Sequence, residues 1–268
     1  MATPQEDKPL ILPLGDSAAI IRFGTAIDPV ANRRAMALAE HLLRCPFPGL
    51  VEAVPAYASV TVHYNPCAVH VSSAAPTPYD AVRARLSAVL AEVGEGIDAA
   101  PRTVEIPVCY GGDHGPDLEA VAAACGLAPE EVVGLHAGTT YHVYAIGFAP
   151  GFPYLGTVPE PIRVPRRATP RAAVPAGSVG IAGAQTGIYP METPGGWQII
   201  GRTPIRLFQP DRDPPCLLRV GDRVRFRPIT EEAFAAWPDG DARAERAIPD
   251  GGEGRAQGAG QGPAGAGT

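Results

Sequence analysis

Residues 177–190 read Gly-Ser-Val-Gly-Ile-Ala-Gly-Ala-Gln-Thr-Gly-Ile-Tyr-Pro and lie in a stretch, 150–229, that shows no helical period. Short apolar runs in this stretch, such as Trp197-Gln198-Ile199-Ile200 and Ile205-Arg206-Leu207-Phe208, are separated by glycine and proline. Short strands punctuated by turn residues are typical of closed or sandwiched β-structure. The stretch therefore predicts a β-barrel or sandwich with helices at its ends.

Regular elements frame this stretch on both sides. The pattern predicts a strand, two short helices and a second strand at residues 103–110, 116–125, 129–136 and 141–148. Residues 220–226 form a turn that leads into a closing strand, and residues 231–237 predict a last helical turn. We therefore expect one domain over residues 101–237.

Residues 10–98 differ, because strand-like and helix-like runs alternate along them. Strands are predicted at 18–23 and 50–64, and helix starts at Asp28-Pro29 and Thr77-Pro78. In each helix start a capping side chain precedes a proline that suits the first helical position. These runs predict a small α+β domain in which two helices pack on one sheet. The flanking residues 1–9 and 238–268 are predicted to be disordered, the latter because glycine, alanine and charge cannot bury a core.

Composition excludes several classes of partner and chemistry. The chain of 268 residues has a formal charge of -6, which provides no basic field for nucleic acid or an anionic membrane. It contains 31 glycines and 31 prolines, which argues for turns, strands and loops over a helical bundle. Lys8 is its only lysine, which excludes a Schiff-base or P-loop lysine in the folded body.

Cysteine usage and the N-terminus bear on the compartment. The five cysteines are scattered and form no C-x-x-C pair, which predicts reduced, mostly buried thiols and no disulfide framework or zinc site. The N-terminal residues lack the apolar core of a signal peptide, and no stretch approaches the roughly 18 apolar residues of a membrane span. We expect a cytoplasmic protein with no metal site.

Two motifs stand out as candidate ligand-binding segments. Residues 147–156 combine rigid prolines and permissive glycines with three aromatic residues, so the loop could present rings and bare amides to a ligand or merely plug a barrel end. Residues 163–171 contain four arginines, whose forks suit carboxylate or phosphate. The alternative for these arginines is a solvated face or pairing with the protein's own acids.

The glycine-rich segment 177–190 is a third candidate. It matches neither standard nucleotide loop, and no helical pattern follows it. Gln185, Thr186, Tyr189 and Glu192 would be the polar groups lining it, with Glu192 the only nearby carboxylate. No nucleophile stands out, since Ser178 lacks a G-x-S-x-G elbow. Asp113, His114 and Asp117 could suggest a metal, but a turn before a helix explains them more simply.

Residues 147–156, 165–171 and 174–190, together with residues 193–204 and 55–60, resemble one family. It comprises the B subunit of the bacterial ATP-dependent 5-oxoprolinase, also called allophanate hydrolase subunit 1, and it includes the Kip inhibitor of a sporulation histidine kinase. The resemblance runs from about Leu10 to Ile229. It implies an α+β fold in which a small α/β N-terminal domain precedes a cyclophilin-like β-barrel. A related pair of domains forms the carboxyltransferase part of biotin-dependent urea carboxylase.

The resemblance also implies an activity and partners. With the A and C subunits of 5-oxoprolinase, such a chain opens the lactam of 5-oxo-L-proline to L-glutamate with cleavage of ATP, and it is inactive alone. ATP would be a co-substrate of the complex that is not bound by this chain alone. A regulatory inhibitor of a histidine kinase, or a component of allophanate hydrolase or urea carboxylase, remains the alternative.

The same resemblance directs attention to particular side chains. Glu192, Tyr189 and Gln185 are the predicted catalytic residues, with Glu192 as acid or base. The predicted residues for binding substrate or phosphate are Arg166, Arg167, Arg171, Thr186, Gly151 and Phe152.

Overall fold

The computed structural model describes residues 8–93 and 101–238. Most of the two predicted disordered ends, and residues 94–98 of the predicted N-terminal domain, lie outside these ranges. None of the helices in the described ranges is long and apolar enough to cross a bilayer.

The N-terminal domain is a four-stranded antiparallel sheet in the order β1-β2-β4-β3, with two helices packed on it. Its elements are β1 (Leu10–Pro13), β2 (Ala18–Arg22), α1 (Pro29–Arg44), β3 (Leu50–Ala56), β4 (Ser59–Tyr64) and α2 (Pro78–Glu92). Both predicted helix starts are confirmed, since the side chains of Asp28 and Thr77 accept hydrogen bonds from backbone amides in the first turn. Alternate residues of β4 point into the core, where Val60 and Val62 are fully buried.

The second domain is a closed barrel of seven strands in the order β10-β7-β6-β13-β5-β12-β9. Its elements are β5 (Thr103–Tyr110), α3 (Leu118–Cys125), α4 (Pro129–Ala137), β6 (Thr140–Ile146), β7 (Pro153–Gly156), β8 (Arg171–Val174), β9 (Ser178–Ala182), β10 (Gln185–Ile188), β11 (Thr193–Gly195), β12 (Gln198–Arg202), β13 (Arg223–Pro228) and α5 (Glu231–Ala235). Strands β13 and β5 pair in parallel, and the short strands β8 and β11 form a separate ribbon. Closure decides between the two architectures that the sequence left open, and the predicted α+β fold with a barrel is confirmed.

Apolar side chains on the inner face of the barrel form its core. Val104, Ile106 and Val108 alternate along β5 and meet Val224 and Phe226 of β13. The helices α3 and α4 pack on this core from the end of the barrel. The predicted helix over 116–125 begins two residues late, because a turn bonds Leu118 N–H to the Gly115 carbonyl.

The expectation of mostly buried thiols was wrong. All five cysteines are free, but Cys45 and Cys67 are exposed and only Cys109 is buried. Cys45 follows the last residue of α1 and Cys67 lies in the turns after β4, where the chain runs over the surface.

Candidate functional site

Five aromatic residues gather where β7 and the loop before it meet the segments that follow β10 and precede β12. This aromatic cluster consists of Phe148, Phe152, Tyr154, Tyr189 and Trp197. The Phe152 ring lies at its centre, with centroid distances of 4.9 Å to Tyr154, 5.2 Å to Tyr189 and 5.6 Å to Trp197. Phe152, Tyr189 and Trp197 are buried, whereas Tyr154 is half-buried and Phe148 is 65% exposed. The cluster therefore has a packed floor and an accessible rim.

A tight turn in the loop before β7 positions these rings. The Gly147 N–H donates to the Phe152 carbonyl (3.0 Å), and the Phe152 N–H donates to the Ala149 carbonyl (3.0 Å). Gly151 has φ +81°, and a Cβ there would press on the Cβ of Phe208 at 3.0 Å. Gly151, a predicted binding residue, is buried, and its role in this structure is to allow the turn. Phe152 is the packing centre of the cluster.

The N-terminal domain contributes a sixth ring, Tyr57, from the turn between β3 and β4. Tyr57 stacks on Tyr144 with centroids 6.3 Å apart and lies 5.9 Å from Tyr154. Gln185 donates from its Nε2 to the Tyr57 hydroxyl oxygen at 2.9 Å. Tyr57 was not among the residues predicted from the sequence. Its place in the family motif at 55–60 was the available signal, but only domain packing brings it to the cluster.

A buried amide fixes this contact between the domains. Asn32 on α1 is fully buried and donates from Nδ2 to the carbonyls of Tyr57 (2.6 Å) and Tyr144 (3.1 Å). Since the Asn32 amide nitrogen donates twice, its Oδ1 accepts from His142 Nε2 at 2.7 Å. The Tyr57 N–H also donates to the Tyr144 carbonyl at 3.0 Å. These bonds hold Tyr57 at φ +52°, a conformation that side chains rarely adopt.

Arg166 supplies positive charge at the rim of the cluster. Its guanidinium carbon lies 5.9 Å from the centre of the Trp197 ring, and the side chain is exposed. Among the described residues it forms no ion pair. Burial raises the pKa of Tyr57, Tyr154 and Tyr189, and the nearby Arg166 cation lowers each pKa by a smaller amount. The three phenols therefore stay protonated at neutral pH and act as neutral hydrogen-bonding groups.

The other two predicted arginines of this motif are paired with the protein's own Asp117. Arg171 binds both carboxylate oxygens, at 2.9 and 2.7 Å, and Arg167 Nη1 lies 2.9 Å from Oδ1. Asp117 is buried and also accepts from the Ile199 N–H at 2.6 Å. Asp117 raises the pKa of Arg171, chiefly through the side-chain hydrogen bonds between them. This geometry favours internal pairing for Arg167 and Arg171, and their role in ligand binding stays a prediction.

Thr186 lies in the barrel interior, although its neighbour Gln185 reaches Tyr57. Its hydroxyl donates to the Gly180 carbonyl (2.9 Å), so it accepts from His136 Nε2 (2.9 Å). Nδ1 of His136 then accepts from the Tyr110 hydroxyl at 2.8 Å. Burial lowers the pKa of His136 to about 3, which keeps the ring neutral. The contacts of Thr186 are therefore those of a core residue.

The remaining predicted catalytic residues differ in access. Tyr189 is buried, and its hydroxyl accepts from the Trp197 backbone N–H. Glu192 is exposed in the turn before β11. The structure thus brings Phe152, Tyr189 and Arg166 together in or beside the aromatic cluster, with Gln185 joined through Tyr57. Within residues 8–93 and 101–238, no three His, Cys, Asp or Glu side chains are grouped as metal ligands.

This arrangement suits a small ligand that combines a compact apolar body with one negative charge. Ring faces pack against apolar atoms, and an exposed guanidinium can form paired hydrogen bonds with a carboxylate. The hydroxyls of Tyr57 and Tyr154 add neutral donors and acceptors at the rim. An apolar ring surface with a few polar groups beside it is one feature of small-molecule sites.

Comparison with known proteins identifies relatives over most of the chain. Residues 9–218 match the sequence profile of the family described as carboxyltransferase domain, subdomain C and D. The chain is 49% identical over 228 residues to the B subunit of 5-oxoprolinase from Bacillus subtilis (strain 168), covering 84% of this chain and 95% of that protein. It is 46% identical to the B subunit of 5-oxoprolinase from Escherichia coli O157:H7, covering 81% and 95%.

Two solved structures share the fold. The crystal structure of TTHA0988 is 44% identical with a TM-score of 0.69, and the match covers 79% of this chain but 40% of that one. The crystal structure of the K. lactis urea amidolyase has a TM-score of 0.70 at 20% identity, covering 87% of this chain and 16% of that one. At this lower identity the likeness extends to the fold alone.

Proposed function

The chain belongs to the carboxyltransferase domain, subdomain C and D family, and we propose that it is the B subunit of an ATP-dependent 5-oxoprolinase. The complex would hydrolyse 5-oxo-L-proline to L-glutamate with cleavage of ATP, and this chain would act together with the A and C subunits. The observation that carries the proposal is the 49% identity to a protein named as the B subunit of 5-oxoprolinase, across 95% of its length.

The candidate site has features that suit this substrate. 5-Oxo-L-proline is a five-membered lactam with one carboxylate, so it needs a flat apolar surface and a single cation. In the proposed complex the exposed guanidinium of Arg166 binds the carboxylate. The ring packs against the accessible face of Tyr154.

In the proposed complex a neutral phenol donates a hydrogen bond to the lactam carbonyl. In the proposed reaction ATP transfers its terminal phosphoryl group to the carbonyl oxygen and leaves as ADP. Water then adds to the carbonyl carbon, the ring C–N bond breaks as the nitrogen takes up a proton, and a second water releases phosphate and leaves L-glutamate. Negative charge that develops on the oxygens of this carbon is stabilised by fixed donors in a site shielded from water. Because the Tyr57 hydroxyl oxygen accepts from Gln185, its proton is directed away from that amide and is available to the substrate. We assign Tyr57 as a donor and Gln185 as the residue that orients it.

The openness of the site supports the proposed need for partners. Phe148 is 65% exposed, and Arg166 and Glu192 are exposed as well. A stable amide reacts in a site that excludes bulk water, which this rim does not achieve alone. In the proposal a surface of the C or the A subunit covers the rim and completes the acid–base groups, with Glu192 as the candidate acid or base from this chain.

Reconstitution tests the proposed function. Glutamate release from 5-oxo-L-proline and ATP is measured with this chain alone, with candidate A and C subunits alone, and with all three. We expect activity only in the complete mixture. A correctly assembled mixture without activity would overturn the lactamase assignment. The kinase-inhibitor and urea-pathway alternatives would then be tested by kinase binding and by allophanate hydrolysis.

A further inference from the structure

A cleft lies at the junction of the two domains, lined by residues of both. It has a volume of about 670 Å³ and runs between α1 and the segment that leads into β13. This volume falls within the roughly 300–1,000 Å³ of typical ligand sites, which also favour domain boundaries. The N-terminal domain contributes Arg33 and Met36, and the barrel domain contributes His142, Arg219 and Arg223.

The charge of the cleft is predominantly positive. Its charged lining residues are Arg33, Arg102, Arg219, Arg223, Glu40 and Asp222. Arg102 and Asp222 neutralise each other through two hydrogen bonds, of 3.2 Å from Nε and 2.5 Å from Nη2. Arg33 and Arg219 then outnumber the exposed carboxylate of Glu40, in a protein whose formal charge is -6. Cations concentrated in one concave site attract anions.

We propose that this cleft binds a phosphate-bearing organic ligand of nucleotide size, with Arg33 and Arg219 contacting its phosphates. Neither of these two side chains has an ion pair among the described residues. Arginine forks match phosphate geometry. A surplus of cations suits the several charges of a polyphosphate better than the one charge of a carboxylate.

The apolar residues that line the cleft would contact the organic part of the ligand. Pro29, Met36 and Ala37 line one side of the cleft, and Pro101 and Val220 line the other. Methionine adapts to flat ring systems and makes favourable contacts with them. The ligand therefore combines a phosphate end with an apolar or aromatic end. This assignment differs from the expectation that ATP is not bound by this chain alone.

One residue that lines the cleft, His142, belongs to the hydrogen-bond network that positions Tyr57. His142 lines the cleft and donates to Asn32, and Asn32 donates to the Tyr57 carbonyl. A ligand in the cleft would therefore lie one side chain away from the amide that fixes the rim of the aromatic cluster. The binding inference itself is independent of the proposed function, since the isolated chain tests it.

His142 also reports on charge in the cleft. Burial lowers its pKa, and the cations Arg223 and Arg33 lower it further, while Asp222 raises it. The other charged lining groups are Glu40, Arg102 and Arg219. An anion bound beside Arg33 and Arg223 would offset their effect and raise the pKa of His142.

Calorimetric titration of the full chain with ATP, and separately with tripolyphosphate, tests the proposal. We expect ATP to bind more tightly than tripolyphosphate because only ATP can contact the apolar residues that line the cleft. Arg33→Ala and Arg219→Ala should each weaken ATP binding about tenfold, a typical loss for one charge-assisted contact. Arg33→Lys keeps the charge but loses the fork, so it should weaken ATP binding less than Arg33→Ala does. Arg225→Ala is the matched control, because Arg225 is an exposed β13 arginine that does not line the cleft.

Three results would overturn the proposal. They are no ATP binding by the folded chain, equal losses in Arg33→Ala and Arg225→Ala, and equal affinity for ATP and tripolyphosphate. Proton NMR titration of the imidazole signals gives an independent readout, with His142 assigned by His142→Gln. Saturating ATP should raise the pKa of His142, and an unchanged pKa would contradict binding in this cleft.

Discussion

The polar groups of the barrel interior and those beside the aromatic cluster differ in how many partners they already have. His136 uses both ring nitrogens on the Tyr110 and Thr186 hydroxyls, and Thr186 also donates to a carbonyl. Arg166 is exposed and has no ion pair in the described structure. The Tyr57 hydroxyl accepts a hydrogen bond from Gln185, so its own proton can still be donated to another acceptor. Polar groups whose hydrogen bonds are all made within the protein stabilise the fold, whereas polar groups that lack partners at an accessible surface are available to a ligand.

The same contrast divides residues that are adjacent in sequence. Arg166 reaches the aromatic cluster while Arg167 is paired with Asp117. Gln185 reaches the N-terminal domain while Thr186 points into the core, because neighbouring side chains on a strand face opposite ways. A motif identified by composition therefore mixes two roles that only partner geometry separates.

The largest expected effect on stability comes from removing the buried carboxylate of Asp117. Asp117→Ala leaves Arg167, Arg171 and the Ile199 N–H without their shared acceptor. We expect the free energy of unfolding to fall by about 3 kcal/mol, at the low end for a broken buried pair. The loss is limited because Arg167 is 36% exposed and water can solvate it. Urea denaturation of the purified chain measures this change.

The control for this variant is an exposed pair. Glu105→Gln removes the ion pair with Arg227, in which the side chains are 33% and 48% exposed. This change should cost less than about 1 kcal/mol. Equal losses in Asp117→Ala and Glu105→Gln would contradict a structural role for the Asp117 cluster.

The next effect compares the neighbours on β10. Thr186→Val keeps the shape of the side chain but removes the bond to the Gly180 carbonyl and leaves the buried His136 N–H unpaired, which should cost about 2 kcal/mol of stability. Gln185→Leu loses one half-buried bond to Tyr57 and should cost less than about 1 kcal/mol. Thermal denaturation of both variants measures the difference. A larger loss of stability in Gln185→Leu than in Thr186→Val would contradict the assignment of Thr186 to the core and Gln185 to the rim.

The third effect is a pH dependence from His136. Its pKa is about 3 in the folded chain, against an unfolded value of about 6.5. Between these values the unfolded state binds a proton that the folded state does not, so this group makes stability fall as pH falls. From pH 7 to pH 5 its contribution should decrease by about 2 kcal/mol.

His136→Gln isolates this contribution, because the other titrating groups are shared with the parent chain. The variant should lose about 2 kcal/mol less stability over the same pH interval. Denaturation curves at pH 7 and pH 5 for both proteins provide the comparison. Parallel losses in the two proteins would show that the His136 pKa is not depressed in the fold.

Local signals in the sequence predicted much of the fold. The caps at Asp28 and Thr77 and the strand at 103–110 depend on neighbouring residues, and the structure has each of them. Burial of the cysteines depends on where loops run over the surface, and its prediction was wrong. The parallel pairing of β13 with β5 joins strands far apart in sequence and carries no local signal.

The candidate site was less predictable for the same reason. Composition singled out the aromatic loop and the arginine motif, and both contribute to the aromatic cluster or its rim. The sequence around Asp117 indicates only a turn, because its arginine partners are 50 and 54 residues away. Tyr57 and Asn32 reach the site only through contacts between the two domains.

The most direct test of substrate binding at the aromatic cluster compares Arg166 with an arginine elsewhere on the barrel. In the reconstituted complex of this chain with the A and C subunits, the KM for 5-oxo-L-proline is measured with the parent chain, Arg166→Ala and Arg225→Ala. We expect Arg166→Ala to raise KM about tenfold, with an unchanged melting temperature, and Arg225→Ala to change neither. A KM for Arg166→Ala equal to that of the parent chain would contradict substrate binding at this site.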